Sequence, residues 1–276
     1  MTAKWVLRNH EIDNFLICRR KYLLKHEGWV EKDRDENLAI GSAVHAALAH
    51  WVFKHDEPKA MQLAFEDLGT MESELADHTY LVLADYFSKY KNDPATPVAT
   101  ETDLVVPLIP DLVEIGMRTD GLVSYEGGIW VKETKTSGQP RATFWKRFLL
   151  DRQTQEYLWG WRQRSDLPIK GVMVDALFKP NQRNPEPAFE RQFFTPTDWE
   201  IERWVRETRA IAYDLIRATE NNEFYGSGRC QQYGKWCEFY DYCTTQENSV
   251  VLQSTHRLET VSERKRRLGE STLGEA

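Results

Sequence analysis

The sequence predicts an α/β fold in which a mixed central sheet is flanked by helices, and three observations predict it. A largely helical pattern over residues 38–97 is followed by β-rich segments over 101–136. Beyond them, helical patterns over 143–163 and from Thr197 onward alternate with apolar runs that are typical of strands. Strands followed by helices around one sheet form layers that bury the apolar face of each element.

The helical layer is predicted from the spacing of its apolar residues. From Ile40 to Val52 these recur three and four positions apart, which indicates an amphipathic helix carrying Gly41 and His45 one turn apart. A second helical region, over about 58–92, ends at a stretch with two prolines.

The β-rich part contains a hairpin signal, because Gly127 and Gly128 separate two strand-like runs. Residues 171–178 predict a buried strand, and residues 189–194 predict one more at the edge of the sheet. Thr197 followed by Glu200 forms the capping box of a long amphipathic helix.

Along the chain we expect five segments. They are an N-terminal arm with Cys18 (1–37), the helical layer (38–97), a core (98–195), a helix with a cysteine cluster (196–247) and a polar tail (248–276).

The composition is that of a folded protein with a substantial core. Of its 276 residues, 41% are apolar, 29% charged and 12% aromatic, which excludes disordered, collagen-like and coiled-coil proteins. The net charge of −7 argues against a protein that coats nucleic acid through a general positive field, but it allows a local basic groove.

The location is predicted from what the chain lacks and from its cysteines. Its first residues lack the apolar stretch of a secretory signal, and no run approaches the roughly 20 apolar residues of a membrane helix. Four cysteines, three of them between 230 and 243, indicate a metal site rather than a disulfide framework. We therefore expect a cytoplasmic protein with no membrane partner.

The strand after the hairpin carries the residues most informative about chemistry. Side chains alternate along a strand, so Glu133 and Lys135 point the same way, and the hairpin partner can place Asp120 beside them. Two buried carboxylates need compensation, and Mg²⁺ or Mn²⁺ between them would supply it. With Lys135 orienting water, this set suits metal-assisted phosphodiester hydrolysis. Taken alone, Glu-x-Lys is also a common solvent-facing pair on an edge strand.

In the wider chain these residues belong to a pattern that resembles the PD-(D/E)XK nuclease superfamily. Within it, the chain is similar to RecB-like nucleases, which include CRISPR-adaptation exonucleases and the nuclease domain of AddB-type helicases. Four marks appear in the family's order, namely Gly41-x-x-x-His45, Asp120, Glu133-x-Lys135 and Gln153-x-x-x-Tyr157. The resemblance as a whole spans about residues 18–243.

The resemblance implies a restriction-endonuclease-like core and a role for each matching residue. The implied ligands of Mg²⁺ or Mn²⁺ are His45, Asp120, Glu133 and Thr134. The implied catalytic set is Asp120, Glu133, Lys135, Gln153 and Tyr157, with the last two supporting the lysine and contacting substrate.

The cysteines are also arranged like a feature of the RecB-like nucleases. One N-terminal and three C-terminal cysteines resemble an iron–sulfur staple, which implies a structural [4Fe–4S] cluster on Cys18, Cys230, Cys237 and Cys243. A zinc ribbon would usually show Cys-x-x-Cys pairs, and none is present. A zinc protein of unrelated activity and four unrelated buried thiols are the alternatives.

DNA binding requires positive charge and stacking surfaces. The candidates are Arg19, Arg20, Lys21, Lys146, Arg147 and Arg152, with Trp145 and Trp159 for stacking. Each basic residue is equally typical of a solvated surface, and each tryptophan of core packing.

Together these inferences predict an Mg²⁺- or Mn²⁺-dependent deoxyribonuclease. End-directed exonuclease action in recombination, repair or phage DNA metabolism is the expected activity, with a helicase, recombinase or integrase as a protein partner. One alternative is a CRISPR-adaptation nuclease that trims spacers together with an integrase. Another is a non-catalytic module that binds DNA ends, although such a module would have no need of Asp120, Glu133 and Lys135 together.

Overall fold

The structure is a computed structural model that divides into two compact units. The first unit comprises Met1–Arg34, Val105–Gly116 and Val205–Ala276, and the second comprises Asp35–Leu104 and Met117–Trp204. The described residues are 4–33, 35–69, 73–139, 141–180, 187–232 and 234–268.

The described helices, in chain order, follow the predicted helical regions and add shorter ones. They are α1 (Asn9–Ile17), α2 (Arg19–His26), α3 (Glu36–Lys54), α4 (Glu57–Leu68), α5 (Ser73–Tyr90), α6 (Arg141–Lys146), α7 (Arg152–Arg164), α8 (Asp198–Glu220), α9 (Tyr240–Thr244), α10 (Ser249–Thr255) and α11 (Val261–Leu268). A 3₁₀ turn, Arg147–Leu150, connects α6 to α7. None of these helices is long and apolar enough to cross a membrane.

The described strands form one central sheet and two short pairs. They are β1 (Trp5–Leu7), β2 (Trp29–Glu31), β3 (Thr96–Ile109), β4 (Val113–Tyr125), β5 (Gly128–Ser137), β6 (Ile169–Phe178), β7 (Ala188–Phe194), β8 (Gln231–Gln232), β9 (Lys235–Trp236) and β10 (His256–Leu258). The central order is β1-β4-β5-β6-β7, and β3 also pairs with β4. Because β5 pairs parallel with β6 but antiparallel with β4, the predicted mixed sheet is confirmed.

The second unit contains an apolar cluster built from the predicted helical layer. Buried residues of α3, α4 and α5 pack with Leu177 of β6. Nearly every residue of β6 is buried, as expected for a strand that is covered on both faces. The partly exposed β7 pairs antiparallel with β6 and ends the strand order, as its sequence indicated.

The β4–β5 hairpin turns where the two glycines predicted it. Glu126 and Gly127 both have positive φ, 46° and 67°, which is the backbone of a type I′ turn. The register sets Tyr125 opposite Gly128 and Gly121 opposite Lys132. β4 is continuous from Val113 to Tyr125.

Besides most of α8, the first unit contains short elements with weaker sequence signals. The expected N-terminal arm contains β1, whose Trp5 lies opposite Val113 in a parallel pair. The expected polar tail contains α10, β10 and α11, and β10 pairs antiparallel with β2. The end of that tail, 269–276, lies outside the described residues, as do the side chains of Arg266 and Arg267.

The capping box of the long helix α8 is confirmed. The backbone N–H of Thr197 donates to Glu200 Oε2 at 2.7 Å, and the N–H of Glu200 donates to Thr197 Oγ1 at 3.3 Å. These reciprocal bonds satisfy donors that have no partner inside the helix. The five-segment division itself stays a prediction.

Candidate active site

The hairpin of the second unit brings Asp120 beside Glu133, Thr134 and Lys135. Asp120 Oδ2 accepts a 2.6 Å hydrogen bond from the backbone N–H of Thr134. The ammonium of Lys135 forms an ion pair with Glu133 Oε1, and the Glu133 side chain is only 4% exposed. Glu133 and Lys135 therefore share one side of β5, as their spacing indicated.

Helix α3 adds His45 to this group. His45 Nδ1 lies 3.1 Å from Asp120 Oδ1. Gly41 eases the close approach of α3 to β5, since a Cβ there would lie 3.3 Å from Thr136 Oγ1, a tight contact. A glycine one turn before the histidine thus allows the helix to come near the strand that carries the acidic residues.

Helix α7 supplies the next two residues through a chain of hydrogen bonds. Lys135 Nζ donates to Gln153 Oε1 at 2.8 Å, and Gln153 Nε2 donates to the Tyr157 hydroxyl at 2.7 Å. That hydroxyl donates to the backbone carbonyl of Arg118 at 2.8 Å. Asp151 caps the helix by accepting from the Gln153 N–H at 2.7 Å. The lysine is therefore fixed from β5 and from α7.

Glu101 is a further member of the site that sequence reasoning missed. Within the described ranges, one group of His, Cys, Asp and Glu side chains brings three ligand atoms within 4.8 Å of one another, and it consists of His45, Glu101 and Asp120. Glu101 lies on β3 with a φ of 43°, in the left-handed region that is uncommon for residues other than glycine. Along β3 the exposed positions are first Thr96 and Val98 and then Glu101 and Asp103. The alternation of exposed and covered side chains therefore shifts by one residue between Val98 and Glu101. No spacing rule reveals a ligand at such an irregularity.

The charges of the site are strongly coupled. Burial works against ionisation of His45, but the Asp120 carboxylate outweighs it and raises the imidazole pKa to about 9. Burial, with Asp120 adding to it, raises the pKa of Glu133 to about 7 even though Lys135 opposes the shift. Asp120 is also buried, yet His45 holds the pKa of Asp120 below its usual range. The site favours added positive charge.

This donor set fits a divalent cation. An imidazole nitrogen and two carboxylate oxygens converge within 4.8 Å, and carboxylate oxygens are the ligands that Mg²⁺ and Mn²⁺ prefer. Nearby, the pKa of the Glu101 carboxylate is raised by removal from bulk water and then by Asp120. A bound cation would offset the carboxylate repulsion that contributes to this shift.

The four cysteines all belong to the first unit and are free and half-buried. The N–H of Cys237 donates to the Cys230 carbonyl at 2.7 Å, which closes the β8–β9 hairpin. Cys18 and Cys237 both interact electrostatically with Cys243. Burial opposes ionisation of Cys18, but hydrogen bonds from the backbone of Lys21 and neighbouring residues lower its pKa.

The spacing of the cysteines bears on the type of metal site. In the described part of the chain, no three cysteine sulfurs lie within 4.8 Å of one another. Four thiolates around one zinc ion, with Zn–S bonds of about 2.3 Å, would hold the sulfurs closer than that. The residues do not form a ready mononuclear zinc site.

The predicted DNA contacts fall into two groups. Those beside Cys18 are engaged in ion pairs, since Arg19 pairs with Asp214, Arg20 with Glu247 and Lys21 with Glu238. The second group lies around α6 and α7, where Lys146 and Arg147 are exposed and Arg152 is half-buried.

The two tryptophans proposed for stacking are occupied within the protein. Trp145 donates from Nε1 to Glu190 at 2.7 Å, and Trp159 is 7% exposed with its ring 5.2 Å from that of Trp204. Both side chains therefore pack within the protein, which is the commoner of the two roles expected for them.

Comparisons with known proteins agree with this geometry. A family model described as the PD-(D/E)XK nuclease superfamily matches residues 10–244. No functionally curated protein matches the chain in sequence. Among solved structures, a candidate exonuclease from Eubacterium rectale is 13% identical, with a TM-score of 0.53 over 87% of each chain. LHK-Exo in complex with dAMP is 14% identical, with a TM-score of 0.29 over 69% of this chain and 96% of that one.

At such identities the structural likeness concerns the fold alone. The family match, in contrast, spans all four marks of the pattern, from Gly41 to Tyr157, and most of the chain. This chain belongs to the PD-(D/E)XK nuclease superfamily.

Proposed function

We propose that this protein is a divalent-metal-dependent DNA exonuclease of the RecB-like type. The observation that carries the proposal is the convergence of His45, Glu101 and Asp120 within 4.8 Å in the unit where Lys135 pairs with Glu133. A cation bound there would lie next to a fixed positive charge, an arrangement that suits phosphodiester hydrolysis. End-directed cleavage is part of this proposal, and a candidate exonuclease shares the fold.

The cation would be Mg²⁺ or Mn²⁺. His45, Asp120, Glu133 and the backbone of Thr134 would hold it, and we add Glu101, whose carboxylate lies close to His45 and Asp120, to this set. When bound, such an ion polarises a phosphoryl oxygen and makes its bound water more acidic. His45 must lose its proton to bind a metal through Nδ1, and the neighbouring carboxylates are then free to face the ion.

Lys135 acts in this proposal as a charged hydrogen-bond donor. Burial works against its charge, but Glu133 and Asp120 outweigh burial and raise the ammonium pKa. It therefore stays protonated and does not serve as a base. In hydrolysis a water oxygen bonds to phosphorus while a P–O bond breaks, so negative charge accumulates on the phosphoryl oxygens. An ammonium fixed beside them stabilises this charge and orients the attacking water.

Gln153 and Tyr157 position the lysine. The amide takes one of the three ammonium N–H groups, and the hydroxyl holds the amide in turn. Positioning of this kind lowers the barrier because the donor is not reoriented during the reaction.

We also infer that Cys18, Cys230, Cys237 and Cys243 bind a [4Fe–4S] cluster with a structural role. Four free thiols in one unit, with donated N–H groups at Cys18, suit thiolate ligands. Such a cluster would join the segment between α1 and α2 to α9. Free thiols also suit a reducing compartment, which supports a cytoplasmic location.

The deciding experiment is cleavage of end-labelled single- and double-stranded DNA by anaerobically purified protein in Mn²⁺. Lys135→Ala is measured beside the wild type. Lys59→Ala, which removes an ammonium that donates to Gln62 on the same helix, is the matched control. We expect cleavage by the wild type and by Lys59→Ala, and none by Lys135→Ala. A product ladder that begins at one labelled end would establish exonuclease action.

The outcomes also separate the alternatives. DNA-end binding without cleavage by the iron-loaded wild type would favour the non-catalytic module. Cleavage that depends on an added integrase would favour the CRISPR-adaptation nuclease, and dependence on a helicase or recombinase would favour a repair role. Full activity in Lys135→Ala would overturn the proposal.

A further inference from the structure

We infer that Arg118 binds the DNA phosphate next to the scissile one and that Asp103 positions its guanidinium for this contact. The inference rests on the proposed function, because it concerns the substrate of the same site. Arg118 lies two residues before Asp120 on β4, so both side chains point to the same face. Arg118 also interacts electrostatically with Glu101, whose carboxylate belongs to the candidate cation site.

The guanidinium is held along one edge only. Arg118 Nε donates to Asp103 Oδ1 at 3.0 Å, and Nη2 donates to Oδ2 at 2.8 Å. These two bonds use two of the five N–H groups of an arginine. In the described part of the chain, Nη1 has no hydrogen-bond partner or ion pair, and the Arg118 side chain is 44% exposed.

This arrangement leaves the Nη1–Nη2 edge open to a second anion. Arginine recognises carboxylate and phosphate with two parallel N–H groups, and each edge of the planar group can do so. Asp103 holds the plane on one edge, which reduces the freedom that the side chain would lose on binding. A surface ion pair of this kind contributes little to stability, so a binding role accounts better for its place beside the cation site.

The DNA backbone fits this open edge. Phosphates follow one another along each strand, so a strand with one phosphate at the cation site places its neighbours close by. The cation site itself is rich in carboxylates, which repel those neighbouring phosphates. Arg118 is the cation that offsets this repulsion on the exposed face of β4.

A combination of protein and substrate changes tests the assignment. The substrates are an oligonucleotide and versions in which a neutral methylphosphonate replaces one phosphate at each of the three terminal linkages in turn. The proteins are the wild type, Arg118→Ala, Arg118→Lys and Asp103→Asn. Arg162→Ala, which removes the same charge from an exposed pair with Asp198, is the matched control. Arg118→Ala keeps the backbone carbonyl that accepts from Tyr157.

We expect Arg118→Ala to raise KM by about 10- to 100-fold, the cost of one charge-assisted phosphate contact, with kcat little changed. Arg118→Lys should recover part of this loss, and Asp103→Asn should show a smaller increase. At one linkage the methylphosphonate should weaken the wild type but not Arg118→Ala any further. DNA affinity in Ca²⁺, measured without turnover, should show the same pattern.

Different results would overturn the role of Arg118 and the proposed function. An equal methylphosphonate penalty in the wild type and Arg118→Ala, or unchanged KM and affinity in Arg118→Ala, would overturn the role of Arg118. A wild type that binds DNA in Ca²⁺ but cleaves none in Mn²⁺ would overturn the proposed function. The binding comparison would still decide whether Arg118 contacts the phosphate.

Discussion

Lys135 of β5 and Gln153 of α7 are joined by a 2.8 Å hydrogen bond from Nζ to Oε1. The ammonium that faces Glu133 is thus oriented by a helix that follows it in the chain. Tyr157 extends the link to the backbone of β4 through the Arg118 carbonyl. Three elements therefore fix one side chain, as expected where a charge must be in place before the reaction begins.

The first prediction concerns this chain of hydrogen bonds. Gln153→Ala should lower kcat by about 10- to 100-fold, because a misplaced catalytic group costs this much even when it is retained. Tyr157→Phe keeps the ring packing and should cost less. DNA affinity in Ca²⁺ should be nearly unchanged in both. Gln163→Ala, an exposed change on the same helix, is the control. Wild-type kcat in Gln153→Ala would contradict the positioning role.

The second prediction uses the backbone strain at Glu101. Glu101→Gly should weaken Mn²⁺ binding by about tenfold or more, because it removes a direct metal ligand. Loss of a residue that merely hydrogen-bonds such a ligand already costs about tenfold in affinity. The same change should raise the metal-free unfolding free energy by up to about 1 kcal/mol, because glycine adopts a φ of 43° without strain. Metal titration and urea unfolding measure the two effects.

Glu101→Gln separates the two contributions. It keeps the strained backbone and removes only the charge, so it should weaken Mn²⁺ binding. Any gain in stability that it shares with Glu101→Gly then comes from relief of the repulsion by Asp120, and the excess in Glu101→Gly comes from the backbone. Unchanged Mn²⁺ affinity in both variants would remove Glu101 from the cation site.

The third prediction concerns the cysteines. Cys18→Ser should remove most of the iron and the brown colour from anaerobically purified protein, because serine is a poor ligand for iron–sulfur clusters. Iron and sulfide analysis measures the loss. Thr244→Ala, beside Cys243 on the exposed side of α9, should retain both. A colourless wild type with stoichiometric zinc would contradict the cluster and favour the zinc alternative.

Much of this architecture follows from local sequence patterns. The hairpin at Gly127 and the side shared by Glu133 and Lys135 depend on turn chemistry and strand alternation, which act over a few residues. The spacing of Gly41 and His45 likewise follows from one helical turn. Glu101 could not be found this way, since a shift in the strand breaks the alternation that would have marked it. Arg118 was equally hidden, because its importance depends on an ion pair with another strand.

A buried charge network in the second unit also escaped the sequence. Asp175 was expected only as part of a buried strand, yet it is 1% exposed and accepts from Arg191 at 2.6 Å and from the Tyr86 hydroxyl at 3.1 Å. Arg191 also binds Asp93 through two bonds of 2.6 and 2.8 Å. These partners are distant in the chain and meet only once it has folded.

The fourth prediction tests this network by removing its central cation. Arg191→Met should lower the unfolding free energy by about 3 kcal/mol or more, because Asp175 is left buried and, among the described residues, its cationic partner is then Lys132 at 3.6 Å. Arg217→Met breaks an exposed pair with Asp214 and should cost about 1 kcal/mol or less. Urea unfolding of both variants at neutral pH measures the difference. Equal costs in the two variants would show that burial adds nothing at Arg191.

Acidification provides an independent check on the same contact. Burial works against the charge of Asp93, but the Arg191 guanidinium outweighs it and lowers the Asp93 pKa below the ordinary value of 3.8. A carboxylate with a lowered pKa stabilises the fold above its unfolded value, and this contribution is lost as the pH falls through the folded value. Protonation of Asp93 should therefore lower the unfolding free energy of the wild type as the pH falls. In Arg191→Met the same protonation should lower it less. The unfolding free energies of the two proteins should converge below pH 3.8, and a constant gap across that range would show that Arg191 does not act through Asp93.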